Sequence, residues 1–278
     1  MNLVVSIFGP TGKKALIALA VMTATVAMAD TKFCQSTKVS TPRVFQAAGP
    51  TADSIQSTVD RFRDALGGPN NGNNPGPLDS GRREINWDGG GSTATSPGPT
   101  PFDVFLNTRG NRSTTPGTGF LQAPAQGLAD FFGRPEYATI FVPFSRSRLF
   151  TAVGSNVTDT SFFVPGPDAS NKPAVTRGFG LVFTDVDQPD GSGPGQKKGN
   201  RKASTLVEYY AADGSLLFSS FVPASPGDGG LSFFGIIFDD SRIARVHIIA
   251  GSAVPGEDDT NDVVVMDDFL YGEPVAVF

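Results

Sequence analysis

Two adjacent carboxylates near the C-terminal end are the residues best suited to chemistry. Asp267 and Asp268 lie within the segment DVVVMDDFLYGEP, residues 262–274, with apolar residues on both sides. This pattern predicts a central β-strand that is apolar on both faces. By the two-residue period of a strand, Asp267 and Phe269 share one face, and Met266 and Asp268 share the other. A buried carboxylate needs backbone N–H donors, a cation or a metal ion, so we expect a site here.

A second acidic motif predicts calcium binding. Asp185, Asp187 and Asp190, followed by Gly191, give D-x-D-x-x-D-G at the end of a predicted strand. Hard oxygen ligands at a glycine turn suit Ca²⁺, although the spacing differs by one residue from that of an EF-hand loop. An ordinary Asx-rich turn explains the same residues. Calcium is therefore the one cofactor that the sequence suggests, with the turn as the alternative.

Paired carboxylates also suggest glycoside hydrolysis, for which Glu84 and Asp88 on either side of Trp87 are the best arrangement. A polar sheet edge explains these residues equally well. The chain has only five glutamates and lacks the E-x-D-x-x-E pattern of jelly-roll glucanases. The sequence thus favours a non-catalytic protein and leaves an enzyme as an alternative.

Histidine and cysteine chemistry has little support. His247, the only histidine, lies in the middle of a predicted strand, so a catalytic triad or histidine metal site would depend on it alone. Cys34, the only cysteine, has no base nearby in the sequence. Neither residue belongs to a recognisable motif.

Phenylalanine dominates the aromatic residues, with 23 copies against one tryptophan and four tyrosines. Most aromatic surface therefore has no polar group and is expected in a core. The candidates for stacking on a sugar ring are Trp87, Tyr137, Tyr209 and Tyr210, each of which also fits a core or edge position.

The composition predicts the elements that must position these residues. High glycine (33) and proline (22), few charged residues (18%) and short apolar runs are typical of an all-β fold. Regular spacing indicates a two-sheet sandwich resembling a jelly roll. Strands are predicted at 82–88, 102–106, 138–144, 147–153, 158–164, 178–185, 204–211, 215–222, 231–238, 242–250 and 263–271.

One amphipathic helix precedes the strands. Apolar residues recur with helical spacing over residues 53–66, and Gly67, Gly68 and Pro69 end the run. The helix should pack on the sandwich or on a partner, with Arg63 facing solvent. Residues 69–81 are rich in glycine, proline and asparagine and predict a linker. The predicted organisation is a signal peptide (1–29), a leader with helix and linker (30–81), a sandwich (82–274) and a tail (275–278).

The N-terminal segment predicts export. Lys13 and Lys14 precede an apolar run, and Ala27-Met28-Ala29 gives an A-x-A cleavage site. The run is shorter than a membrane span needs, so we expect a secreted bacterial protein, extracellular or periplasmic, without a membrane span. The signal holds two of the 22 basic residues and none of the 27 acidic ones, so the mature chain has a net charge of about −7. That charge argues against nucleic acid as a partner.

Several stretches within residues 81–274 resemble exported bacterial β-sandwich proteins: GRREINWDGG, TPGTGF, LFTAVGSNVTDTSFFVPG, GFGLVFTDVD, DGGLSFFGIIF, RIARVHIIAGS and DVVVMDDFLYGEP. The second half is similar to the ectodomains of PEP-CTERM proteins and, more distantly, to jelly-roll carbohydrate-binding modules. A PEP-CTERM protein continues past its Pro-Glu-Pro motif into an apolar helix and a basic tail, which this sequence lacks. We therefore expect no sorting anchor.

The resemblance implies a binding function. A module of this kind would bind extracellular polysaccharide at a sheet face or loop-rich end. The resemblance also implies a calcium ion between the first and closing strands, for which Asp267 with Asp88 or Glu84 are the candidates. The alternatives are a structural or interaction protein of the bacterial envelope, with another envelope protein as partner, and a jelly-roll glycoside hydrolase or lyase.

Overall fold

The computed structural model describes residues 41–89, 93–167, 172–187, 205–257 and 262–277. Strands dominate these residues, as predicted. The strands are β1 (Arg43–Gly49), β2 (Arg82–Ile85), β3 (Ser96–Gly98), β4 (Asn111–Thr114), β5 (Gly119–Ala123), β6 (Leu149–Val153), β7 (Val157–Phe162), β8 (Ala174–Val175), β9 (Gly178–Thr184), β10 (Leu206–Tyr210), β11 (Leu216–Phe221), β12 (Leu231–Ile237), β13 (Arg245–Ile249), β14 (Val265–Gly272) and β15 (Val275–Ala276). The helices are α1 (Ala52–Leu66), α2 (Leu106–Arg109), α3 (Ala125–Phe132) and α4 (Tyr137–Ile140).

The strands form a sandwich-like arrangement of antiparallel sheets, which confirms the predicted fold class. The larger sheet has the order β1-β12-β9-β14-β6-β5-β3, and β2 also pairs with β14. The five-stranded sheet has the order β11-β10-β13-β7-β4. A short pair, β15 and β8, stands apart from both. None of the helices in the described part of the chain is long and apolar enough to cross a membrane.

The main hydrophobic core contains side chains from both sheets. Phe150, Phe179 and Phe269 of the larger sheet join Phe162 and Tyr209 of the five-stranded sheet in one buried cluster. Two further cores lie elsewhere: one joins α1 to the larger sheet, and the other joins α3 and α4 to β5 and β6. Burial of this much aromatic surface is the main stabilising contribution to the fold.

Helix α1 packs on the larger sheet of its own domain. Its apolar positions, including Val59 and Phe62, are fully buried, as the spacing predicted. The ring of Phe62 lies over Gly180 of β9 and Gly235 of β12, which are directly paired in the sheet. A Cβ atom on Gly235 would lie 2.8 Å from the Phe62 ring, so the absence of a side chain there creates the space that the ring fills.

The domain includes residues that the sequence analysis assigned to the leader and tail. Strand β1 pairs with β12 over its full length, and the compact unit extends over Ser40–Phe278. The structured domain therefore begins before the boundary predicted at residue 82, because β1 is an edge strand of the larger sheet and α1 packs on that sheet. At the C-terminal end, β15, which lies in the predicted tail, pairs with β8.

Two predicted strands are wrong in type. Much of 138–144 belongs to α4 and the extended segment after it, where Tyr137 and Phe141 pack in the core with α3. Phe102 forms only an isolated bridge, and the chain then enters α2. Short apolar runs fit a helix or a strand equally well, and packing against neighbouring elements decides between them.

Candidate functional site

A β-bulge brings the two C-terminal aspartates together. Strand β14 pairs with β9 through Met266 to Phe183 and Phe269 to Leu181, so three steps along β14 match two along β9. Asp267 and Asp268 therefore lie side by side at one irregular point in the strand. Bulges of this kind redirect side chains and are common near active sites.

Asp267 is fully buried and held by backbone donors. Its Oδ2 accepts hydrogen bonds from the N–H groups of Phe144 at 2.7 Å and Ser145 at 3.3 Å. Its Oδ1 accepts the N–H of Asp268 at 2.8 Å. These are the backbone donors that the sequence analysis named as one means of compensating a buried carboxylate. Burial and the nearby charge of Asp268 raise the pKa of Asp267 well above its usual value.

Asp268 connects the bulge to helix α1. Its Oδ1 accepts the hydroxyl of Ser145 at 2.6 Å, and its Oδ2 lies 3.5 Å from Nη2 of Arg63. The same Nη2 lies 3.3 Å from Glu84 of β2. Burial raises the pKa of Asp268 to about 6, while Ser145 and Arg63 oppose the rise. Arg63, expected in solvent, is instead mostly buried and lies between two carboxylates.

A cleft of about 600 Å³ opens beside this group. Helix α1 forms one side, and the end of β2, the segment after α4 and Asp268 of β14 form the rest. The side chains of Asn86 and Arg146 are exposed and make no hydrogen bond or ion pair with any described residue. The residues that line the cleft are Gln56, Arg63, Asn86, Phe144, Ser145, Arg146 and Asp268.

Three of the four predicted sugar-stacking aromatics are buried. Trp87 stacks on Phe150, with parallel rings 3.8 Å apart, and Tyr137 and Tyr209 are also enclosed in cores. Their rings present no face to a ligand. Tyr210 is partly exposed on the five-stranded sheet, where the Arg245 guanidinium lies 4.0 Å from its ring centroid.

The predicted metal residues separate into different places. Asp88 accepts the N–H of Arg148 at 3.0 Å, and burial raises its pKa. Asp185 and Asp187 lie together at the end of β9, whereas Asp190 lies outside the described residues. In the described ranges, no group of three or more His, Cys, Asp or Glu side chains is arranged to hold a metal ion.

His247 lies on the outer face of the five-stranded sheet. Its Nδ1 is 3.1 Å from Asp159, which also pairs with Arg245. The group is a partly exposed ionic cluster across β7 and β13. No serine, threonine or cysteine among the described residues is hydrogen-bonded to the His247 ring.

Sequence reasoning found Asp267 and Asp268 but missed the other polar residues of the cleft. Ser145, Asn86 and Arg146 carry no motif, and they come together only when the chain folds. The one detectable signal for Ser145 and Arg146 is the polar run that follows a short apolar segment, which is common in loops. Asn86 lies within the predicted strand 82–88 and has no such signal.

The fold and the cleft define a β-sandwich protein with a polar cleft beside a buried carboxylate pair. Comparison with protein families, with curated proteins and with solved structures gave no match.

Proposed function

We propose that the protein is an exported, non-catalytic binding module, and that its cleft beside α1 binds polysaccharide. The observation that supports this proposal is the combination of fixed and unpaired polar groups at one cleft. Asp268 and Ser145 are fixed by hydrogen bonds from buried structure. Asn86 and Arg146 make no hydrogen bond or ion pair with a described residue, and the charge of Arg146 acts only at longer range on Asp88, so both side chains can bind a ligand.

These side chains suit the hydroxyl groups of a sugar. A hydroxyl both donates and accepts hydrogen bonds. An amide, a guanidinium and a carboxylate in one cleft can therefore pair with several hydroxyl groups of a sugar chain. The cleft volume of about 600 Å³ lies within the range of ~300–1,000 Å³ that is usual for ligand pockets. An open cleft, rather than a closed cavity, allows a polymer to pass through it.

The position of Arg63 favours binding over catalysis. Its Nη2 lies within 3.5 Å of both Glu84 and Asp268, the two carboxylates closest to forming an acid and base pair. A glycosidic oxygen or attacking water would have to occupy the space between such a pair. Arg63 fills that space and holds both groups in ion pairs.

A binding panel tests the proposal. Protein comprising residues 30–278 is applied to neutral and acidic polysaccharides, and retention and release of sugar are measured together. Retention without release is expected, and Asn86→Ala and Arg146→Ala should each weaken it. Arg112→Ala, which removes the same charge on β4 of the other sheet, is the matched control. Absence of retention on every polymer would reject the proposal and favour a structural or interaction protein of the envelope.

A glycoside hydrolase or lyase is the second candidate. The raised pKa of Asp268, about 6, is what a general acid near neutral pH requires, and Glu84 supplies a second carboxylate. Release of sugar by the wild type, lost in both Asp268→Asn and Glu84→Gln, would establish this function in place of the first.

A further inference from the structure

We propose that the loops at one end of the sandwich bind a calcium ion, with Asp185 as its central ligand. None of the residues that line the cleft takes part, so this site is independent of the proposed polysaccharide binding. Two observations support this site: carboxylates from three loops converge there, and a buried oxygen among them has no hydrogen-bond partner in the described part of the chain.

The convergence is fixed by hydrogen bonds between the loops. The N–H of Asp185 donates to the carbonyl of Gly230 at 2.8 Å. The N–H of Gly227 donates to Oδ1 of Asp187 at 2.8 Å, and the N–H of Asp187 donates to Oδ1 of Asp262 at 3.3 Å. Four carboxylates belong to the group: Asp185 and Asp187 after β9, Asp228 before β12, and Asp262 before β14.

Asp185 itself points to a missing ligand. The residue is only 5% exposed, and its Oδ1 is buried without a hydrogen-bond partner in the described part of the chain. Its backbone has a φ of 70°, which a residue other than glycine rarely adopts. Strained backbone and unsatisfied buried oxygens persist where function requires them. Burial, then the charges of Asp187, Asp262 and Asp228, raise the pKa of Asp185 to about 8.

The chemistry of the donors selects calcium. All four side chains offer hard oxygen atoms, and neither a thiolate nor an imidazole is among them, which argues against zinc. Calcium takes six to eight oxygen ligands in irregular geometry, whereas magnesium requires a near-ideal octahedron. Since no three described side chains already surround one point, Asp185 and a neighbouring carboxylate would bind first, with backbone carbonyls and water completing the shell.

Thermal unfolding tests this site directly. After treatment with EDTA and removal of the chelator, ~1 mM Ca²⁺ should raise the Tm of residues 30–278 by about 3 °C, with a smaller effect of Mg²⁺. Asp185→Asn should raise the Tm in EDTA, because the neutral amide removes the repulsion and can donate to nearby carboxylates. The same variant should show no shift with Ca²⁺.

Asp64→Asn, which removes one exposed charge on α1, is the control and should keep the full shift. Asp187→Asn, at a partly exposed position, provides a second variant and should weaken the calcium affinity at least about fivefold. Absence of any shift in the wild type would overturn the proposal. An equal shift in the wild type and both site variants would also overturn it, by placing any calcium site elsewhere.

Discussion

Arg83 and Glu273 form a bidentate ion pair inside the protein, with both N···O distances at 2.6 Å. The Arg83 side chain is fully buried and Glu273 is nearly so. Arg83 also donates to the carbonyls of Gly72 and Asn74, each at 2.7 Å. The pair thus connects the closing strand to residues 69–81, which the sequence predicted to be a linker but which the structure holds against the domain.

Breaking this pair should destabilise the fold strongly. Glu273→Gln leaves a buried guanidinium without its counter-charge, so the free energy of unfolding should fall by ~3–5 kcal/mol in urea denaturation. Asp103→Asn at the exposed Arg112 pair is the control and should cost less than ~1 kcal/mol. Similar losses in the two variants would show that the buried pair has no special role.

Helix α1 depends on the glycine pair beneath it. Gly235→Ala places a Cβ 2.8 Å from the Phe62 ring and 2.9 Å from the Cα of Gly180, so it should cost ~1–3 kcal/mol by overpacking. Phe62→Leu in the same chain should recover part of that loss by making room. Gly214→Ala is the control in the same urea titration. Gly214 lies in an exposed turn with nothing near its Cβ and has a φ of 83°, so this variant measures the cost of backbone strain without overpacking. No recovery in the double variant would argue against the packing explanation.

Substitution of the two adjacent tyrosines of β10 should have very different effects on the free energy of unfolding. Tyr209 is fully buried and donates its hydroxyl to the carbonyl of Phe179 at 3.3 Å, so Tyr209→Ala should cost ~3–5 kcal/mol. Tyr210→Ala on the outer face should cost only about 1 kcal/mol, mainly the contact with Arg245. The single tryptophan, Trp87, is buried and reports unfolding by its fluorescence. Equal costs would mean that the two faces of β10 are assigned wrongly.

The stability of the protein should rise as the pH falls toward 4. Asp268 has a pKa of about 6 when folded, raised from 3.8, so the folded state binds its proton more tightly than the unfolded state does. The charged carboxylate therefore lowers the free energy of unfolding above pH 6. Protonation of Asp268 should raise that free energy by an amount on the order of 3 kcal/mol.

The substitution Asp268→Asn isolates this contribution to the pH dependence. The amide cannot titrate, so the difference in unfolding free energy between variant and wild type should shrink between pH 7 and pH 4. Asp130→Asn, at an exposed position on α3, should leave the pH profile unchanged. A constant difference across this range would show that Asp268 does not titrate there.

Local periodicity was enough to predict α1 and most strands of the sandwich. Helical spacing placed Phe62 in a core, and the apolar run around residues 265–272 predicted a buried strand. Strict alternation placed Met266 and Phe269 on opposite faces, yet both lie in the main core. The bulge reverses the alternation, and it arises from pairing with β9, about 85 positions away in the sequence, so a local pattern carries no sign of it.

The candidate sites were predictable only in part for the same reason. Asp267 and Asp268 stand out as charges in an apolar strand, and Asp185 and Asp187 stand out by spacing. Arg63 was expected in solvent, because a helical period shows which face is polar but not what that face meets. Its partner Asp268 lies 205 positions away along the chain.

The most direct test of the cleft as the binding site is the affinity of the wild type and of cleft variants for a polysaccharide retained in the panel. Binding of the wild type should be measurable, with a loss of about tenfold in Asn86→Ala and in Arg146→Ala. Arg112→Ala should bind like the wild type, and the two cleft variants should keep the Tm of the wild type, because neither replaced side chain makes a hydrogen bond or ion pair with a described residue. Equal affinity in all of them would contradict the cleft as the site of polysaccharide binding.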